Sequence, residues 1–313
     1  MAGKRQQPGR PLRLSGSGSQ ISWRVSEHWA HQRVLFKVLS GSRAHGLDTA
    51  ESDHDTRGVC IPPKRYLLGL SHFEQWQSEG GDHVLFSLQK FIKLALEGNP
   101  NIIETLFTRH EDWLFSHALS EPLIAHRHIF LSKNVGTKFG RYAIHQLQKI
   151  ERHYRWLTSE PPSQPQPEDF GAKRGENSPK FPDTASERAY RGAVKHFRAY
   201  REWRKNRNPK RAELEAQHGY DTKHAMHLCR LLNMGCEILE SGQVLVYRPD
   251  ADWLRGIRAG SMSYTELLNW VKDREKTLSK LETESSLPQE PDHATAEKLV
   301  VEITERYLYG ERD

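Results

Sequence analysis

Up to about residue 115 the apolar residues fall in short, β-rich runs broken by glycine, proline and polar turns; beyond it they recur every three or four positions to the end of the chain. Side chains alternate faces in a strand and repeat every 3.6 residues in a helix, so the change of period dictates two successive kinds of module. The expected fold class is α+β, a mixed sheet module followed by a mostly helical one. With 313 residues, 36% of them hydrophobic and 27% charged, the chain can bury a sizeable core. No run approaches the roughly 18 apolar residues of a membrane span, which excludes a transmembrane role.

Residues 1–20 are basic, with Ser-Gly repeats in place of an apolar run, and predict a disordered arm rather than a secretory signal. A cytoplasmic protein is expected. Cys60, Cys229 and Cys236 fit neither a disulfide framework nor a zinc knuckle and read as reduced, buried thiols. The first module spans 21–115, with strands predicted over about 33–39, 53–61, 73–77 and 82–87. A helix is predicted over 88–96, stopped by Gly98-Asn99-Pro100, and 102–107 reads as a short helix or strand. Helices at about 117–125, 133–154, 184–204, 221–241, 263–282 and 293–309 fill the second module, 116–313. Six prolines between Glu160 and Pro182 mark a mobile loop at about 160–182 within it.

The chemistry concentrates at Gly41-Ser42-Arg43-Ala44-His45-Gly46 and, after a short polar loop, Ser52-Asp53-His54-Asp55. A glycine directly after a buried strand lets backbone approach a phosphate, and Ser42 adds a hydroxyl and an N–H. Asp53 and Asp55, two apart on an extended segment, project to one side and can share a hard divalent cation such as Mg²⁺, whose shell substrate phosphates complete. Arg43 and Arg57 are close enough to offset part of their mutual repulsion. A third carboxylate is expected where two metals serve an in-line displacement; Asp82 is the first choice and Glu74 the alternative. A bend gripping terminal phosphates beside paired acids is what nucleotidyl transfer from an NTP requires.

GSRAHG, SDHD with the following RGV, PPKRYLLGL, DHVLFSLQKF and LEGNPNIIETLF together resemble the nucleotidyltransferases of the DNA polymerase β superfamily, in particular the YcgL/RlaP-type proteins associated with RNA repair. SKNVGTKFGRYAIHQLQKI, YDTKHAMHLCRLL and ESGQVLVYRPD resemble the same family's helical portion, so the similarity spans most of 34–310. The resemblance implies a nucleotidyltransferase-fold catalytic module, a phosphate-binding turn at Gly41-Ser42, and metal carboxylates at Asp53, Asp55 and Asp82. His54 and Thr56 depart from it, standing where the superfamily has apolar residues.

Lys223, His227 and Arg230 form one stripe of the helix predicted over 221–241, with His224 beside it. The resemblance implies that this helix meets the triphosphate opposite the metals, so these four, with Arg43 and His45 on the bend, are candidate nucleotide-binding residues. From Arg188 to Arg211 ten Lys or Arg stand against the single acid Glu202. Arg188, Arg191, Lys195 and Arg198 share one helical stripe beside Tyr190, Val194, Phe197 and Tyr200, a pattern suited to an RNA backbone with occasional stacked bases. The expected activity is therefore a Mg²⁺- or Mn²⁺-dependent transfer of NMP from an NTP to an acceptor hydroxyl, with an RNA 3′ end the first choice. A protein or small-molecule acceptor, an RNA-binding protein with a decayed site, and a nuclease are the alternatives.

Overall fold

The run Val-Leu-Phe-Lys-Val-Leu forms β1 (Val34–Leu39), and its Leu35, Phe36 and Val38 are wholly buried. In the computed structural model, which describes residues 29–159, 161, 163–175 and 178–310, β1 is the last but one strand of a five-stranded mixed sheet. The predicted arm at 1–20 lies outside the described residues. β1 is flanked on one side by β2 (Thr56–Cys60), antiparallel to it, and on the other by β5 (Trp113–Ser116). β2 then pairs in parallel with β4 (His83–Ser87), and the short β3 (Gln75–Gln77) closes the far edge against β4.

β5 escapes the pattern at sequence level because it is only four residues long and Leu114 and Phe115 stay exposed. β2 begins at Thr56 rather than at 53, so the paired acids stand on irregular backbone leading into the strand rather than within it. The short α1 (Trp29–Gln32) precedes β1, the single turn α2 (Gly41–Ala44) follows it, and α3 (Lys64–Leu67) follows β2.

α4 (Leu88–Leu96) is capped by the Ser87 hydroxyl, which accepts from the Lys90 N–H. Residues 102–107 belong to a helix, α5 (Pro100–Phe107). Asn99 caps it and Pro100 occupies its first turn, where a missing N–H costs nothing. α5 is buried almost all round, which is why its periodicity did not distinguish helix from strand.

The helical part comprises α6 (Glu121–Ala125), α7 (Lys133–Thr158), α8 (Thr184–Lys205), α9 (Pro209–His218), α10 (Thr222–Ser241), α11 (Ala251–Arg258), α12 (Tyr264–Glu284) and α13 (His293–Tyr309). α9 and α11 are additions to the sequence expectation; α9 is set by the Asn208 cap and by Gly219 in the left-handed region. α7 and α10 lie against each other through small residues: a Cβ on Gly136 would stand 2.4 Å from Leu239. The segment about 160–182 holds a short 3-10 turn at Pro167–Phe170 and docks on α8 through Phe170 and Phe181 against Tyr190.

One apolar cluster runs from Leu35 and Val59 of the sheet through Phe139 and Leu228 to Ile303, so no gap in packing marks residue 115. α13 returns to pack against α4 and α6. A smaller cluster of Ala30, Cys60, Phe73 and Leu85 lies apart from it. Cys60, Cys229 and Cys236 are all buried, and none of them is in a disulfide. Among the described residues no helix is long and apolar enough to cross a membrane.

Candidate nucleotidyl-transfer site

The bend after β1 is built around one close contact. Gly41 has φ +64, and a Cβ there would lie 2.2 Å from Asp55 Oδ2, so only glycine admits this carboxylate. The Ser40 N–H donates to the Asp55 carbonyl at 2.9 Å, closing the approach from the other side. The Gly41-Ser42 turn and the second acid of the Asp-x-Asp pair therefore touch, although thirteen positions separate Ser42 from Asp55.

Arg43 has a different employment from the one expected. Its guanidinium donates to the carbonyls of Asp53 (3.3 Å) and Ser52 (3.0 Å) and lies 3.7 Å from the Asp48 carboxylate, strapping the loop that carries the acids. Asp53 is exposed and Asp55 half-buried.

Asp82 is adjacent to Asp55 by register, since Thr56 pairs with His83 and the Thr56 N–H donates to the Asp82 carbonyl at 2.8 Å. Its carboxylate is turned back over the β3–β4 turn, with Oδ2 3.0 Å from where a Gly80 Cβ would be. Arg57 bridges this edge by donating to the carbonyls of Thr56 and Asp82, both at 2.9 Å. Burial lowers the Arg57 pKa, and the charges of Asp55 and Asp82 oppose that. Glu74 sits at the opposite end of β4, its carbonyl accepting from Ser87 and its carboxylate paired with Lys90 at 3.2 Å.

By donor chemistry Asp53 and Asp55 fit a hydrated Mg²⁺ ion, which needs only one or two carboxylates. Among the described residues, Asp53, Asp55 and Asp82 do not bring their oxygens within 4.8 Å of one another as a set of three. The set that does is His153, Glu215 and Asp221 in the helical part.

α10 brings a positive charge within the field of the acids. Burial pulls the Lys223 ammonium below the ordinary lysine value, helped by Arg211 and Arg258, while the charges of Asp53 and Asp221 act against this. Lys223 is thus in the field of the first acid of the pair. His224 binds Asp221 at 2.6 Å.

His227 and Arg230, one and two turns on, lead away from the acids into a buried network. Arg230 Nη1 donates to Glu104 Oε1 at 2.5 Å, and the His45 ring lies 3.4 Å from Glu104 Oε2. His45 Nδ1 meets the Val246 carbonyl at 3.0 Å. Burial and the neighbouring Arg230 push His227 down to about 3, so its ring is neutral. Burial alone would raise Glu104, yet Arg230 and His45 hold it well below the usual carboxylate range. His45 and Arg230 are therefore enclosed beneath the bend rather than presented at its surface. Glu104, which joins them, gives no sequence signal beyond being a lone acid in an apolar stretch. Tyr247 was likewise unforeseen: its ring packs on Gly46, whose φ is +66, and carries Arg109 3.8 Å above it.

The basic helix α8 holds Arg188, Arg191, Lys195 and Arg198 exposed, Arg191 being paired with Glu187 at 2.6 Å. Its aromatic stripe faces the protein: Tyr190 packs on Phe170 and Phe181, and Tyr200 on Trp156. The stacking platform expected alongside the cations is thus occupied by internal contacts.

No solved structure matches this chain. Over 91 residues it is 31% identical to an uncharacterized 38.9 kDa protein from the nrdC-mobD intergenic region of Enterobacteria phage T4, covering 25% of this chain and 27% of that protein. Over 78 residues it is 28% identical to the uncharacterized protein YcgL of Bacillus subtilis (strain 168), covering 24% of this chain and 30% of YcgL. The matched stretch is less than a third of either relative's length. The family model described as RlaP, RNA repair pathway DNA polymerase beta family, matches residues 20–301, and with an α+β fold of a mixed sheet followed by helices the chain belongs to that family.

Proposed function

We propose that the protein transfers a nucleoside monophosphate from an NTP to the 3′ hydroxyl of an RNA, releasing pyrophosphate, with Mg²⁺ or Mn²⁺ held by Asp53 and Asp55. The contact between Gly41 and the Asp55 carboxylate carries this proposal, because it joins a phosphate-accepting bend to a metal-accepting acid at one point. When bound, a divalent cation would offset charge on the triphosphate and favour ionisation of the attacking hydroxyl. Gly41 and Ser42 then meet the terminal phosphates through backbone N–H groups, and Lys223 brings a positive charge from α10. Arg57 keeps the ends of β2 and β4 together, and Asp82 reaches the acceptor side only by turning away from Gly80. His224 stays with Asp221, while His45, His227 and Arg230 hold α10 and the bend around Glu104. Positioning and charge neutralisation supply most of the rate in such a reaction.

Membership of an RNA-repair family supports a nucleic-acid acceptor, and the exposed cations of α8 support RNA along that helix. The test is incubation with Mg²⁺ or Mn²⁺, each labelled NTP and a pool of small RNAs, with products resolved by size. Lengthened, labelled RNA is expected, and Asp53→Asn should cut incorporation by on the order of a hundredfold or more. Label on protein, shortened RNA, or salt-sensitive RNA binding with no transfer would each replace the proposal with another activity.

A further inference from the structure

Where α8 ends and α9 begins, a cavity of about 280 Å³ opens between these two helices, α7 and the start of α10. It is distinct from the Gly41–Asp55 contact and is joined to it through the first turn of α10: the lining residue Asp221 caps that helix, and Lys223, two positions on, feels the charges of Asp53, Asp221 and Arg211. The volume falls just below the range of roughly 300–1,000 Å³ typical of small-molecule sites, enough for one flat ring system.

The lining is electrically balanced. Buried Glu215 receives two N–H groups from Arg207, at 2.8 and 2.5 Å, and buried Asp221 is paired with His224 at 2.6 Å and Arg211 at 3.5 Å. Such a cavity holds no net charge to attract an anion, and two guanidinium groups at its wall oppose a divalent cation. It does offer a flat wall in the guanidinium of Arg207, which lines the cavity and is held 4.9 Å over a Trp203 ring that packs in turn on His153 and Trp156. It also offers polar edges: the amide oxygen of exposed Asn206, whose amide nitrogen donates to Glu202, and the buried Nδ1 of His153, which makes no hydrogen bond and lies 3.7 Å from Glu215 Oε1. A neutral, planar, polar ring that stacks on one face and bonds at its rim is a nucleobase.

The geometry points to this cavity as the pocket for the 3′-terminal base of the acceptor RNA, an inference that presupposes the RNA acceptor proposed above. The exposed cations of α8 lead along the helix to the cavity at its end, and Lys223, two positions after the lining residue Asp221 in the first turn of α10, feels the charge of Asp53. A backbone following α8 would place its last base here while its ribose hydroxyl remains on the side of Asp53.

The test compares a short 5′-labelled single-stranded RNA with the same RNA lacking only its 3′-terminal base, each titrated by fluorescence anisotropy against the full chain at fixed salt. The complete RNA should bind on the order of tenfold more tightly, the usual value of one stacked base. Trp203→Leu and Asn206→Ala should reduce that ratio to near one without weakening binding of the base-less RNA. Asn206 is exposed, so its variant carries the test if loss of Trp203 impairs folding. Equal affinities for the two RNAs in the wild type, with binding still dependent on Arg188 and Lys195, would overturn the pocket and leave the RNA acceptor standing. Binding of neither RNA would remove both. Saturable Zn²⁺ binding that is abolished by His153→Ala and competes with the complete RNA would assign the cavity to a metal instead.

Discussion

Gly41 combines a backbone conformation that other residues adopt at a cost with a neighbour that forbids a side chain, Asp55 Oδ2 lying where a Cβ would be. Gly41→Ala should therefore lose about 1–2 kcal/mol from the left-handed conformation alone and more from displacing the acid, measured by urea unfolding. Its nucleotidyl transfer should fall further than its stability. Glu104 is the second residue on which much depends: Glu104→Gln leaves Arg230 buried without its countercharge, at a cost of about 3–5 kcal/mol.

The same groups make stability sensitive to acid. Glu104 has a folded pKa below its unfolded value of ~4.3, so its contribution is complete above that pH and is lost as the pH falls through the carboxylate range. His227, pushed to about 3, behaves alike from a higher start, because the unfolded chain takes up its proton near pH 6.5 while the folded one does not. Stability should decline below about pH 6.5 and more steeply below about pH 4.3, and His227→Asn should flatten the upper part of that decline. An unfolding midpoint independent of pH between these values would dismiss the neutral, enclosed histidine.

At the scale of elements, α8 has its aromatic side committed to Phe170, Phe181 and Trp156 and its cations left outward. Contacts from such a face neutralise phosphates without reading sequence. Replacing Arg188, Lys195 and Arg198 together with Gln should leave the melting temperature nearly unchanged. It should also reduce the slope of log K against log salt by about two, at ~0.7 for each single-strand phosphate that is no longer neutralised. An unaltered slope would move the RNA path off this helix. α10 is the complementary element, since its first turn carries Lys223 under the charge of Asp53 and its third is drawn inward by Glu104. A charged stripe read from spacing alone treats those turns as equivalent, but a salt bridge to a residue 126 positions away separates them.

Over the whole molecule, the sheet and the helices share one apolar cluster, and α13 buries Ala296, Leu299 and Ile303 where it returns to α4 and α6. Leu299→Ala with Ile303→Ala should destabilise the protein by about 2–5 kcal/mol per site, the cost of core cavities. Far-ultraviolet circular dichroism and tryptophan fluorescence should still report a single unfolding transition. Two separated transitions would mean that the modules fold independently across residue 115.

The α+β class, four of the five strands, the long helices and the Gly41-Ser42 bend followed by Asp53 and Asp55 were all legible from residue order, because each depends on local periodicity, capping or backbone freedom. The tertiary structure alone decided which of those residues face one another. Asp55 meets Gly41, Asp82 turns toward Gly80, Arg43 ties down a loop, and His45 and Arg230 close around Glu104. Those outcomes come from packing and charge pairing between segments far apart in the chain, and no local pattern encodes the partner of a buried charge.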